Sequence, residues 1–114
     1  MKKYRDDDFE FTARDMTFID KVREEWPQER PGALVTEVKD GGWAALGRLN
    51  TGDIIVAVGD EPVTDVLSLK ELMKRVAAEK RKTVVLRVER GIHTLYLELE
   101  PKWDGRVEIM KGHL

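Results

Sequence analysis

The chain has 114 residues, 41% of them hydrophobic and 37% charged, a length that accommodates one domain and is too short for two ordinary ones. Twenty Lys and Arg stand against 22 Asp and Glu, a formal net charge of -2, so no basic field exists to concentrate nucleic acid. Without any cysteine, disulfide frameworks, thiolate metal sites and cysteine nucleophiles are excluded, while the redox compartment stays open.

The N-terminus, MKKYRDDDFEF, runs from positive charge into three aspartates instead of an apolar stretch, which is not the pattern of a signal peptide. Residues 1–8 read as a charged arm, and no apolar run approaches the roughly 20 residues that span a bilayer. FEFTAR (9–14) alternates aromatic or small residues with polar ones, as a strand does. TFIDKVREEWP then places Phe18, Ile19, Val22 and Trp26 at helical spacing, opened by Thr17 with Asp20 three residues on and stopped by Pro27.

ALVTEV (33–38) is predicted as a strand, and DGGWAALGRL as a turn followed by one helical turn. Gly52-Asp53 leads into the apolar run 54–58, Gly59-Asp60 reverses out of it, and Pro62-Val63 can add only a short edge strand, since proline donates nothing to a ladder. The clearest helix spans 68–79. Ser68 with Glu71 forms a capping-box pattern, and Leu69, Leu72, Met73, Val76 and Ala77 make an apolar stripe. TVVLRVER and HTLYLELE flank Arg90-Gly91-Ile92 as a hairpin; Val84, Leu86 and Val88 share one face, as do Leu95, Leu97 and Leu99, and the two strands are expected to supply much of the core. The expected fold is therefore mainly β with two helices: a small, partly open barrel or sandwich of five to six strands capped by helices. Residues 101–114 form a tail or an extra edge strand.

Nothing in the chain assembles a catalytic constellation. Its one serine, Ser68, serves as a helix cap, and its two histidines, His93 and His113, have no second ligand at metal spacing. The runs Asp6-Asp7-Asp8, Glu24-Glu25 and Asp60-Glu61 are solvated faces, and Gly41-Gly42 and Gly52-Asp53 belong to turns, not to phosphate-binding patterns. No cofactor and no metal are expected. A short sheet with an open edge beside an amphipathic helix can instead accept an extended peptide as one more strand, read by the pocket between strand and helix.

The run GALVTEVKDGGWAALGRLNTGDIIVAVGDEPVTDVLSLKELMKRV, together with KTVVLRVERGIHTLYLELE, resembles PDZ domains over residues 9–100. Its order of elements is similar to the circularly permuted form found in HtrA/DegP-like serine proteases, where the peptide-binding strand comes first. The resemblance implies a non-catalytic module that binds extended peptides or protein C-termini and regulates or feeds a larger protease, whose compartment would be periplasmic or otherwise extracytoplasmic. It places the family's hydrophobic-Gly-hydrophobic carboxylate loop on Phe9-Glu10-Phe11 and the pairing strand on Thr12, Ala13 and Arg14. Leu69 and Met73 become the opposite wall of the groove, though plain core packing explains the same stripe. Glu10 stands where the family has glycine, and its charge opposes a bound carboxylate unless Arg5 or Lys3 offsets it. Trp43, where a proline often stands, reads as a packing anchor. The alternative is a structural or self-association domain with a closed or internally occupied groove, in which the apolar C-terminal end, MKGHL, of one copy binds another.

Overall fold

The computed structural model describes residues 2–101; the expected tail strand, Trp103, His113 and the C-terminal MKGHL lie outside the described residues. Seven strands occur among these residues: β1 (Lys3–Asp6), β2 (Phe11–Arg14), β3 (Ala33–Val38), β4 (Ile54–Val58), β5 (Glu61–Pro62), β6 (Val84–Arg90) and β7 (His93–Leu99). Three helices accompany them: α1 (Phe18–Arg23), α2 (Trp43–Leu46) and α3 (Val66–Ala78). The sheet is antiparallel and open, ordered β1-β2-β3-β4-β6-β7, with β5 paired to β4 beside that path. The addition to the expected elements is β1, within the charged N-terminal segment; α2 is the expected single helical turn of WAAL.

Alternation builds the core. Val84, Leu86 and Val88 on β6, with Leu97 and Leu99 on β7, join Ile55 and Val58 of β4 and Leu69, Met73 and Val76 of α3 in one buried cluster. The β6–β7 hairpin turns on the two residues Gly91 and Ile92, and Gly91 takes φ 61°, a left-handed conformation open to glycine. The Gly52-Asp53 corner before β4 is fixed by charge. Asp53 is buried and receives Arg90 Nε and Nη2, both at 2.7 Å, and the Asn50 N–H at 2.9 Å.

Two local expectations shift. Helix α3 starts at Val66, with Asp65 as N-cap and Ser68 as the third helical residue; they form the reciprocal capping box, so Ser68 closes the box and does not open it. The Ser68 hydroxyl is nonetheless committed to the backbone, accepting from Thr64 N–H (2.9 Å) and Asp65 N–H (3.1 Å) and donating to Asp65 O. In α1 the Thr17–Asp20 capping box forms as the sequence suggests, but the apolar spacing buries nothing: Phe18, Ile19 and Val22 are all exposed.

What holds α1 is charge. Arg14 on β2 reaches both carboxylate oxygens of Asp20, at 2.6 and 3.1 Å. The guanidinium and the Thr17 hydrogen bonds hold the Asp20 carboxyl well below the usual carboxylate range. Because the folded-state pKa is depressed, this pair stabilises α1 above about pH 4, where an unfolded Asp is ionised, and its contribution disappears as pH falls from there. Since α1 buries no side chain, its loss is local and is read by hydrogen exchange. At pH 7, Asp20→Asn is expected to lower protection of the Lys21 and Glu24 amides about fivefold to tenfold, a gap that closes below about pH 4.

Candidate functional site: the edge of β2 facing α3

The site grows from the loop between β1 and β2. Phe9 and Phe11 are buried and anchor the loop in the core, while Glu10 between them adopts φ 68°. That is the left-handed region, which resists a side chain and suits glycine, so the loop keeps the glycine conformation without the glycine. The segment 39–44 clamps it. Ala44 N–H donates to Phe9 O (2.8 Å), Lys39 N–H to Glu10 O (3.1 Å), and Trp43 N–H to the Glu10 carboxylate (3.3 Å).

The Glu10 charge is answered by Lys39, whose Nζ lies 2.9 Å from Oε2. Neither expected offset does this: Arg5 pairs with Asp7 at 3.0 Å, and Lys3 lies at the far end of β1. Gly42 completes the clamp, since a Cβ there would fall 2.9 Å from Glu10 Oε1. Glycine at position 10 relieves left-handed strain of about 1 kcal/mol and loses an exposed ion pair of about 0.2–1 kcal/mol. Glu10→Gly is therefore expected to change stability by less than about 1 kcal/mol in urea denaturation, whereas the β-branched Glu10→Val costs about 2 kcal/mol.

Downstream of the loop, β2 lies between β3 and β1. On the β3 side, Phe11 pairs with Val38 and Arg14 with Leu34, with a bulge after Thr12. On the other side, which faces α3, β1 pairs antiparallel in full register: Lys3 with Arg14, Tyr4 with Ala13, Arg5 with Thr12, and Asp6 with Phe11. β1 also packs against α3, so residues 3–6 lie between the strand and helix that form the two walls. Leu69 and Met73, on the inner face of α3, are 0% and 2% exposed. Thr12 and Ala13 are buried, and Arg14 is half-buried beside Asp20.

The loop N–H groups point at Asp6. Glu10 N–H donates to the Asp6 carbonyl at 2.8 Å, and Phe9 and Asp8 N–H each donate to Asp6 Oδ1 at 2.9 Å. Tyr4 Oη donates to the other carboxylate oxygen at 2.5 Å, and its ring meets Phe11 edge-on, with centroids 6.4 Å apart. Burial pushes the Asp6 carboxyl up, against the hydrogen bonds from Tyr4 and Phe9; burial and the Asp6 hydrogen bond also push the Tyr4 phenol up.

At the other end, Asp15 ties strand to helix. Its N–H donates to Lys2 O (3.1 Å), and its Oδ1 accepts from Val66 N–H (2.8 Å), the first residue of α3. Asp15, Lys39 and Tyr4 join this cluster although sequence reasoning passed over them, and Asp6, expected on a solvated face with Asp7 and Asp8, is instead buried because the loop N–H groups and Tyr4 hold its carboxylate. Among the described residues, no three His, Cys, Asp or Glu side chains converge to hold a metal ion, and no helix is long and apolar enough to cross a membrane.

An open antiparallel sheet with a helix packed along its β1–β2 side, and a hydrophobic-x-hydrophobic loop at the head of β2, defines a strand-and-helix groove fold. A family model described as the PDZ domain matches residues 12–100, and the chain belongs to the PDZ family. Among solved structures, the crystal structure of the HtrA3 PDZ domain bound to a phage-derived ligand (FGRWV) superposes with a TM-score of 0.62 at 27% identity, covering 89% of this chain and 88% of that one. The chain is thus HtrA-like within the family, as its order of elements suggests. No curated protein matches in a sequence search.

Proposed function

We propose that this domain is a non-catalytic peptide-recognition module that takes an extended peptide or a protein C-terminus by strand addition between residues 9–14 and α3. The observation that carries this reading is the loop at 8–10, whose N–H groups already hold a carboxylate and a carbonyl presented by an antiparallel strand. In this reading Phe9, Glu10 and Phe11 supply the carboxylate loop, Thr12, Ala13 and Arg14 the ladder, and Leu69 and Met73 the helical wall. The ligand held by the HtrA3 domain supports peptides as the partner class. In this reading, as the sequence resemblance implies, the module serves as the substrate-recognition or regulatory domain of a larger HtrA-like serine protease working outside the cytoplasm.

The test is titration of the domain with C-terminal peptides, each paired with its amidated form. Binding lost on amidation is the expected result and marks carboxylate capture. Equal binding of both forms would reassign the groove to internal segments, and no binding at all would overturn the proposal. A second reading, a structural domain with a filled groove, draws support from the full pairing of β1 on β2. Self-association through the C-terminal end is a separate form of that reading, checked by sedimentation with and without the last three residues.

A further inference from the structure

The groove is occupied by the chain itself, and the occupant is built like a ligand. β1 runs antiparallel to β2 on the side facing α3, packs against α3, and pairs at every position from Lys3 to Asp6. Its alternate residues turn inward: Tyr4, half-buried, onto Phe11 and against the core cluster, and Asp6 onto the loop, buried to 4% exposure. Asp6 presents there both a carbonyl and a carboxylate to the N–H groups of Glu10, Phe9 and Asp8, the chemistry of a chain end supplied from within a chain. The outward residues, Lys3 and Arg5, are exposed. The family match begins at residue 12, so β1 stands upstream of the segment that the family model covers.

The geometry points to β1 as an intramolecular ligand that keeps the groove closed, displaced by an extended segment bearing an aromatic residue two positions before a free carboxylate. The inference rests on the peptide-binding reading above. The specificity follows from the occupant: the Tyr4 position is an aromatic seat against Phe11, and the Asp6 position a carboxylate seat at the loop. The tether makes the competition steep. A strand joined by four residues (7–10) acts at an effective concentration on the order of millimolar, and a docked fraction of about 99% weakens an outside ligand about 100-fold.

The absence of cysteine allows a specific lock. Because Asp15 N–H donates to Lys2 O, the alternation of an antiparallel ladder makes Arg5–Thr12 a non-hydrogen-bonded pair, whose closer Cα atoms suit a disulfide. The full chain carrying Arg5→Cys and Thr12→Cys is compared oxidised and reduced with a second variant, Tyr4→Ala with Asp6→Ala, that releases β1. The probe is the labelled peptide Lys-Lys-Tyr-Arg-Asp with a free carboxyl end, with its amide and its Tyr-to-Ala analogue as controls.

We expect the released variant to bind the probe at least tenfold more tightly than wild type, the oxidised pair at least tenfold more weakly than the same protein reduced, and both controls to lose binding. Backbone amide spectra check that each form is folded, and the reduced form controls for the substitutions themselves. Equal binding by the oxidised and reduced forms would overturn this inference and leave the peptide-binding reading standing. A folded, released variant that binds neither the probe nor any C-terminal peptide would overturn both.

Discussion

Leu69→Ala is expected to destabilise the fold by about 3 kcal/mol and Met73→Ala by a similar amount, a fall in Tm of more than about 10 °C for a domain of this size. Both side chains are buried, at 0% and 2% exposure, and belong to the cluster that includes Val35, Ile55 and Leu86. Truncation therefore leaves a cavity and removes more than a contact surface. Half-buried Leu72, on the flank of the same helix, is expected to lose only about 1 kcal/mol. Urea denaturation with unchanged m-values provides the measurement. Losses below about 1 kcal/mol at both Leu69 and Met73 would mean that these side chains face an open groove in solution and that β1 is seldom in place.

Arg90→Ala should have an effect of the same order, about 3 kcal/mol, although it removes a residue from the end of a surface hairpin. The cause is what remains. Asp53, 1% exposed, would keep its Asn50 hydrogen bond and lose both contacts to the guanidinium, which itself also holds Arg48 O at 2.9 Å. An uncompensated buried carboxylate is costly, so restoring neutrality should recover part of the loss. The double variant Arg90→Ala with Asp53→Asn is expected to be more stable at pH 7 than Arg90→Ala alone. Equal stability of the two would show that water reaches Asp53 once the arginine is gone.

The elements that could be read from the sequence are those whose signals are local. The Gly-Asp corners around 54–58, the two alternating strands about Gly91, and the Thr17–Asp20 box all state their geometry within a few residues, and each stands in the structure as expected. Ser68 shows the limit of local pattern. Asp65-x-x-Ser68 and Ser68-x-x-Glu71 both match a capping box, and the start of the helix is decided from outside, by Asp15 reaching the Val66 N–H. Asp53 with Arg90 and Glu10 with Lys39 are likewise separated in sequence, and no spacing rule pairs them.

β1 was hidden for a different reason. Six of the seven residues in KKYRDDD (2–8) carry charges that read as solvated, and only two residues of the strand turn inward, too few for alternation to register. The connecting loop offers no glycine either, because its left-handed residue is Glu10. A hairpin announced by neither turn chemistry nor hydrophobicity leaves composition as the only guide, and composition favours an arm.

The short connection between β1 and β2 also fixes an order of events in time. Two strands joined by four residues zip together in about 1–10 μs, whereas a partner at about 1 μM, associating at about 10⁶ M⁻¹s⁻¹, needs about a second to arrive. Whenever this chain folds, its own N-terminal strand reaches the groove first by some five orders of magnitude. A partner therefore meets a filled site, and the pace of its entry is set by how often β1 lets go.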